Sequence, residues 1–292
     1  MNILITGGSG FIGRNFVEYL SEKHNILAPT HNELELLDED AVKRFFDNNH
    51  IDIVIHSAVR AGHRNAIDSS NQLYNNTRMF FNIERNKGKY KKLIFLGSGL
   101  DYDIRYYLPK MQEEYFDTHV PIDEGGFSKY IISKYIQNSD NMIELRIFGI
   151  FGKYEDYAIR FISNAICKTL FDLPITIKQN RLFDYIYIED LMPVIDYFIA
   201  NEVMHKVYNV TPNNPIELIT LAQKILRVSG KDLPIVIYQE GMGTEYSGAN
   251  SRLREQIPDL SFIPFDHAIQ KLYNWYRQNK EIIDKNYLII DK

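Results

Sequence analysis

One cysteine, Cys167, is all the thiol chemistry in this chain of 292 residues. A single thiol excludes an internal disulfide framework and a cysteine-rich zinc site, and no metal site is expected. It fits a reducing, cytoplasmic compartment, with Cys167 read as a small buried residue on a helix. Long apolar runs are also missing. No stretch approaches the roughly 18 consecutive apolar residues of a membrane span. Glycines interrupt the apolar start, so no signal peptide is read there. Positive charge is not in excess, since 33 Lys and Arg face 38 Asp and Glu for a formal net charge of −5. That balance gives no electrostatic footprint for nucleic acid or an anionic membrane. Internal repeats and low-complexity tracts are absent as well.

What is present is an ordinary soluble globular composition, 45% hydrophobic and 24% charged. The length sits near the size at which one core stops growing, which leaves one large domain or two unequal lobes. Short apolar runs over 2–6, 25–29, 52–56, 92–96 and 143–148 read as strands. Amphipathic segments over 12–23, 39–48, 72–87 and 127–137 lie between them as helices. That alternation is the signature of βαβ units and a parallel sheet. The stretch 99–126 differs, being long and polar with four tyrosines and two prolines. Connections of that length are usually functional or carry short elements of their own. Beyond 148 the pattern predicts helices over 158–170, 189–201, 216–229 and 266–279. Strands are expected over 175–178, 183–188 and 207–210. The fold class is therefore α/β, a doubly wound parallel sheet with a smaller, discontinuous C-terminal α/β lobe. The first domain is expected over 1–151 plus about 183–208, and the lobe over about 152–182 and 209–292.

The strongest local signal is Ile3-Leu4-Ile5-Thr6-Gly7-Gly8-Ser9-Gly10-Phe11-Ile12-Gly13. A strand runs into glycines and a helix opens at once. Gly7, Gly10 and Gly13 permit the tight turn and the close approach of a pyrophosphate. The N–H groups around Phe11 and Ile12, with the helix dipole, would hold that anion. A dinucleotide-binding site is expected here.

The glycine spacing, TGxxGxxG, resembles the short-chain dehydrogenase/reductase superfamily, and TGGSGFIG resembles its extended branch. The resemblance implies a Ser after the fourth strand and a Tyr-xxx-Lys before the fifth. Four such pairs occur, at Tyr19/Lys23, Tyr106/Lys110, Tyr130/Lys134 and Tyr276/Lys280. Tyr19 is at the far end of the first helix, Pro109 interrupts the second match, and Tyr276 lies in the terminal helix. Only Tyr130/Lys134 falls between the fourth and fifth strands, on a helix whose i,i+4 spacing puts both on one face. A neighbouring ammonium favours phenolate and is expected to lower the tyrosine pKa from its usual ~10. The phenol can then exchange a proton while hydride moves. In extended members the active Ser or Thr lies four residues before a tyrosine, and Ser98 lies four before Tyr102.

The resemblance covers nearly the whole chain. It implies that Ser57 and Ala58, in Val54-Ile55-His56-Ser57-Ala58, pass under the cofactor ribose, and that Asn76, six before Asn82, belongs to the cofactor site. Leu145–Gly152, with Gly149 and Ile150, resembles LRxFNxYG. Asp184–Leu191 resembles RDFIYVDDL. The general likeness is to sugar-nucleotide epimerases, reductases and dehydratases, that is, to the NAD-dependent epimerase/dehydratase family. Glu33–Asp38 and Phe95–Ser98 most resemble the GDP-fucose synthases. Several departures narrow the chemistry. Dehydratases carry an Asp-Glu pair where this chain has Gly99 and Leu100. The epimerising Cys of GDP-fucose synthases falls at Leu100, and no His lies near Tyr157. Gly149 replaces a common Asn, and Phe183 a common diphosphate-binding Arg, for which Arg181, Arg60 or Arg64 is expected to compensate.

At the end of the second strand, Ala28-Pro29-Thr30-His31-Asn32 offers neither an acid nor an arginine, and Glu33 comes slightly late. Nothing there repels a 2′-phosphate and His31 could donate to it, so NADP(H) is favoured over NAD(H). Glu35 and Leu36 complete the expected cofactor contacts. The resemblance then implies an enzyme in which Ser98 and Tyr130 bind the reacting oxygen and Lys134 holds the nicotinamide ribose. The expected reaction is reduction of a 4-keto sugar nucleotide or epimerisation at C4. The alternatives are a GDP-fucose synthase-type epimerase/reductase and a non-catalytic NAD(P)-binding sensor. A homodimer through the helices containing 72–87 and 127–137 is also implied, its apolar surface supplied by Ile131, Ile132, Tyr135 and Ile136.

Overall fold

The computed structural model describes residues 1–62 and 71–290. Along the first half run β1 (Asn2–Thr6), α1 (Phe11–Leu20), β2 (Asn25–Leu27), α2 (Glu39–Asn48), β3 (Ile53–His56), α3 (Gln72–Glu84), β4 (Lys92–Ser98), α4 (Glu124–Ile136) and β5 (Met142–Ile147). The second half holds β6 (Gly149–Phe151), α5 (Phe161–Leu170), β7 (Ile175–Asn180), β8 (Leu182–Phe183), β9 (Tyr185–Tyr187), α6 (Leu191–Ala200) and β10 (Val207–Val210). It closes with β11 (Ile216–Glu217), α7 (Leu218–Ser229), β12 (Ile235–Met242), α8 (Ser251–Gln256) and α9 (Phe265–Gln278).

Six strands form one sheet in the order β10-β5-β4-β3-β1-β2, every pair parallel. The chain is an α/β protein with a doubly wound parallel sheet. Its strands are apolar on both faces because both faces are covered. Ile3, Ile5, Ile53, Ile55, Ile94, Leu96, Ile143 and Leu145 point to one core, which continues through α5, α6, α7 and α9. Leu4, Val54, Leu93, Phe95 and Met142 alternate to the other, with Phe46 of α2, Phe80 of α3 and Ile132 of α4. Each such side chain stabilises the fold by about 1.5–3 kcal/mol. Cys167 is buried in α5, as expected. The last sheet strand runs over Val207–Val210, as expected.

Local chemistry sets the element ends. Asp38 caps α2 by accepting from the Asp40 and Ala41 N–H groups. Asp123 caps α4 through the Gly126 N–H at 2.7 Å, so that helix begins three residues before the expected 127. β2 stops at Leu27, short of Pro29, which has no N–H to give a ladder. The stretch 99–126 holds three short 3₁₀ turns, Gly99–Asp101, Ile104–Tyr106 and Glu113–Tyr115. Residues 216–217 pair as a strand before α7 begins at Leu218. Two elements had no periodic signal, α8 and β12, the latter parallel to β7 and exposed along most of its length. Of the apolar residues expected to face a partner subunit, Ile132 and Ile136 are instead buried within the chain. Among the described residues, no helix is long and apolar enough to cross a membrane.

Candidate active site

The order of the sheet reverses between β1 and β3, and ligands of such sheets bind beyond the carboxyl ends of the strands at that point. β1 ends at Thr6, and Gly7 follows in the left-handed region at φ 69°. The Gly10 N–H closes the turn on the Gly7 carbonyl at 3.0 Å. A Cβ on Gly7 would lie 2.8 Å from the Ala58 backbone, and one on Gly13 would strike the Gly7 carbonyl and come within 2.9 Å of Ser57 Oγ. Among the described residues no side chain caps α1 at Gly10. The first N–H groups of that helix, around Phe11 and Ile12, are thus presented at a cradle without side chains. This geometry fits a dinucleotide pyrophosphate. Ser57 donates its hydroxyl to the Thr6 carbonyl at 2.6 Å, and Thr6 Oγ1 pairs with His56 Nδ1 at 2.7 Å. These bonds fix the β3 end beside the glycine turn.

Beyond β2 the picture differs from the expectation of an acid-free tip. Glu33 folds back onto Thr30, accepting its N–H and hydroxyl at 2.7 and 2.8 Å. His31 is exposed and its Nε2 lies 3.0 Å from Glu35 Oε2. A 2′-phosphate would have to compete with that carboxylate for the imidazole. Glu35 also accepts the Leu37 N–H at 2.7 Å. Leu36 is buried in the core, its carbonyl held by Asn82 Nδ2 at 2.8 Å. Asn76 ties two segments together, accepting the Arg60 N–H at 2.7 Å and reaching Ser128 Oγ of α4 at 3.3 Å. Arg60 thus sits in the loop after β3, while Arg64 lies outside the described residues.

Tyr130 and Lys134 occupy successive turns of α4, with Lys134 Nζ 3.2 Å from the Tyr130 hydroxyl. A third group completes the set. The Tyr130 hydroxyl donates to Asp117 Oδ1, and Lys134 Nζ lies 3.0 Å from both Asp117 oxygens. The Phe116 ring stacks on Tyr130 at 5.1 Å. The expected lowering of the tyrosine pKa is therefore reversed. Burial and the Asp117 carboxylate push it up, and Lys134 only partly opposes them.

Ser98 ends β4 and caps the turn after it, accepting the Leu100 N–H at 3.2 Å. Its hydroxyl also lies 3.4 Å from the hydroxyl of Tyr246, far along the chain. Beneath Ser98 and α4 is a buried charge cluster. Arg146 donates to Asp101 at 3.0 Å, Glu144 at 3.2 Å, the Tyr102 hydroxyl at 2.8 Å and Ser133 Oγ at 2.6 Å. Ser133 in turn donates to Glu144 at 2.5 Å. Burial, then the nearby Asp101, raise the Glu144 pKa well above its usual value, against the pull of Arg146. Asp101 follows Ser98 by three residues and Ser133 follows Tyr130 by three, so the cluster locks the serine turn to the tyrosine helix.

On the opposite wall, a Cβ on Gly99 would lie 2.7 Å from both the Tyr246 hydroxyl and the Phe148 ring. Tyr246 thus fills the space that a side chain at 99 would occupy. Burial pushes its pKa up to about 12, so it is a neutral hydroxyl. Gly149 gives its N–H to the Asp184 carbonyl at 3.0 Å, and a Cβ there would be 2.7 Å from the Tyr185 ring. A side chain at 149, such as the family's common asparagine, would require the Tyr185 ring and the Asp184 carbonyl to shift. Ile150 is the half-buried middle residue of β6. Burial raises the Tyr185 pKa, and the charges of Arg160 and Arg181 oppose that rise. Asp117 and Tyr246 are not legible as site residues, since each belongs to no motif and meets Tyr130 or Ser98 only through folding. Among the described residues no cluster of metal-ligating side chains exists.

A family model described as "NAD dependent epimerase/dehydratase family" matches residues 3–211. ADP-L-glycero-D-manno-heptose-6-epimerase of Brachyspira hyodysenteriae is 21% identical over 97% of this chain and 98% of that protein. Among solved structures, a GDP-mannoheptose C4 reductase from Campylobacter jejuni with NADP bound superposes with a TM-score of 0.82 at 21% identity, covering 94% of this chain and 98% of the other. A GDP-L-fucose synthetase from Naegleria fowleri bound to NADP gives 0.84 at 18% identity, covering 96% and 93%. At these identities the structural likeness establishes the fold.

Proposed function

Because the chain belongs to the NAD dependent epimerase/dehydratase family, we propose that it transfers hydride at carbon 4 of a sugar nucleotide, as a 4-ketone reductase or a C4 epimerase. The observation that carries this reading is the Tyr130–Lys134 pair at 3.2 Å beside the serine turn at the end of β4. No acid stands at Gly99 or Leu100 to remove water, and no thiol stands at Leu100 to epimerise a neighbouring carbon.

The residues divide the work by their chemistry. The nicotinamide, when bound, supplies a hydride to the carbonyl carbon or accepts one from the alcohol carbon. In the reductive direction Ser98 donates a hydrogen bond to the carbonyl oxygen. As the carbonyl π pair moves onto that oxygen, Tyr130 gives it the proton, leaving a phenolate that solvent reprotonates. Lys134 stabilises that phenolate and holds the nicotinamide ribose. Gly7, Gly10 and Gly13 hold the pyrophosphate, Ser57, Ala58 and Asn76 line its ribose side, and His31 favours NADP(H) by exchanging its Glu35 partner for a 2′-phosphate. Tyr246 supplies a second hydroxyl at Ser98. Arg160 and Arg181 are assigned to the substrate diphosphate. Residues 1–151 and about 183–208 serve the cofactor and the remainder the sugar nucleotide. A homodimer through α3 and α4 is part of this reading, with exposed Tyr74 and half-buried Ile131 and Tyr135 as its apolar contacts.

The test is NADPH oxidation against a panel of GDP-, UDP-, CDP- and dTDP-linked 4-keto sugars. Tyr130→Phe should lose turnover by about 10³-fold or more while its NADPH titration is unchanged. A variant that turns over normally refutes the assignment. Wild-type protein that binds NADPH tightly and oxidises it with none of the panel would favour the sensor. Parallel titrations with NADPH and NADH test the cofactor preference.

A further inference from the structure

We propose that Asp117 is a positioning residue for the Tyr130 proton, keeping Tyr130 in its proton-donating form so that the resting enzyme begins by reducing a ketone rather than by oxidising an alcohol. The inference rests on the reading of Tyr130 as the acid–base group, and it chooses between the two reactions left open above.

Two neighbouring residues of the loop before α4 grip the same tyrosine. Phe116 stacks on its ring at 5.1 Å, and Asp117 accepts its hydroxyl proton. Asp117 does so from the left-handed region, at φ 71°, a conformation Asp tolerates better than most residues. Its carboxylate also takes the ammonium that would otherwise act on the phenol alone, with Lys134 Nζ 3.0 Å from each oxygen. Among the described residues, the charged groups around Tyr130 are Lys134 on its own helix, Asp117 on the loop, and Arg146 of β5 behind the Phe116 ring, 4.4 Å from that ring's centre.

The balance of these charges decides which form of the phenol is present. A lysine alone stabilises the phenolate, which can take a proton from a substrate alcohol. A carboxylate accepting the O–H stabilises the phenol, because deprotonation would set two anions against one another. Burial acts in the same sense, and the net direction is upward. An epimerase must first remove a proton from its substrate and needs the phenolate. A ketone reductase needs the phenol, and at neutral pH Asp117 provides it.

The proposal is tested by the ultraviolet titration of tyrosinate, the Tyr130 signal being isolated by subtracting the curve of Tyr130→Phe. It is measured on the full chain without ligand and again saturated with NADP⁺. In the wild type the Tyr130 signal should emerge only above about pH 10, the ordinary tyrosine range. Asp117→Asn should move it down by about one pH unit or more, and Asp117→Glu should restore it. These shifts should persist with NADP⁺ bound. An unmoved titration in Asp117→Asn overturns the proposal, as does a wild-type Tyr130 that titrates below pH 8 with NADP⁺. Failure of the functional reading would show separately, as full NADPH oxidation by Tyr130→Phe.

Discussion

The glycine turn after β1 and the hydroxyl cluster around Tyr130 are held by opposite means. The turn lies within Gly7–Gly13. Its shape comes from a positive φ at Gly7 and from contacts too close for any Cβ, so its chemistry is carried by backbone N–H groups. The candidate acid–base site uses side chains from four separated places in two sets, Asp117 on a loop with Tyr130 and Lys134 on α4, and Ser98 on β4 with Tyr246 beyond β12. A buried ion cluster of Arg146, Glu144 and Asp101, with Ser133, ties the turn after Ser98 to α4. Backbone chemistry is tolerant of side-chain identity outside the glycines. Side-chain chemistry is sensitive to every packed support beneath it.

That contrast can be broken most forcefully at Gly13. In Gly13→Val the new side chain meets the Gly7 carbonyl and Ser57 Oγ. Such overpacking against backbone costs about 1–3 kcal/mol or more and should weaken NADPH binding by roughly 100-fold or more, as read by fluorescence titration. Unchanged affinity would separate the turn from the cofactor. A smaller effect is expected at His56, which supports the glycine turn by pairing with Thr6 at 2.7 Å. Burial, helped by the charge of Lys129, lowers its pKa to about 3. The folded chain keeps it neutral while the unfolded chain protonates it below about pH 6.5. Its contribution is complete above that pH and is lost as pH falls toward 3. Denaturant unfolding at pH 5 should therefore show about 2 kcal/mol less stability from this group than at pH 7. A His56→Gln variant should lack that part of the slope, and a slope identical to wild type would contradict the assignment. The smallest effect should be at Tyr246→Phe, which removes one hydroxyl from the assembled site. We expect turnover of a 4-keto sugar nucleotide to fall by about 10-fold, worth ~1.4 kcal/mol, with NADPH affinity unchanged. A change in affinity instead would place Tyr246 on the cofactor side.

Much of the fold was legible because apolar alternation and helical periodicity are local records of burial. Lys92–Ser98 reads as a buried strand on its own residues, and Asp38 marks the start of α2 without any reference to the rest of the chain. Where those records are weak, the elements were missed. β12 is mostly exposed and has no buried face to advertise, and the six-residue α8 is too short for a periodic pattern. The same distinction separates the site residues. Tyr130 and Lys134 share one helix face, and their place between the fourth and fifth strands sets them apart from three other pairs of the same spacing. Asp117 reaches them from a loop whose direction no spacing encodes.

By itself the sequence determined the parallel sheet and the glycine cradle, because each depends on φ preferences or periodicities within a few residues, and the order of strands and helices singled out Tyr130/Lys134 among four pairs of the same spacing. Only the tertiary structure decided what surrounds that pair. The carboxylate of Asp117 reaches the pair, and the hydroxyl of Tyr246 reaches Ser98, through long-range packing, and the electrostatics of a buried phenol are set by whichever charges packing brings within hydrogen-bonding distance. The lysine written beside the tyrosine pointed toward a phenolate. The aspartate folded against both keeps it a phenol.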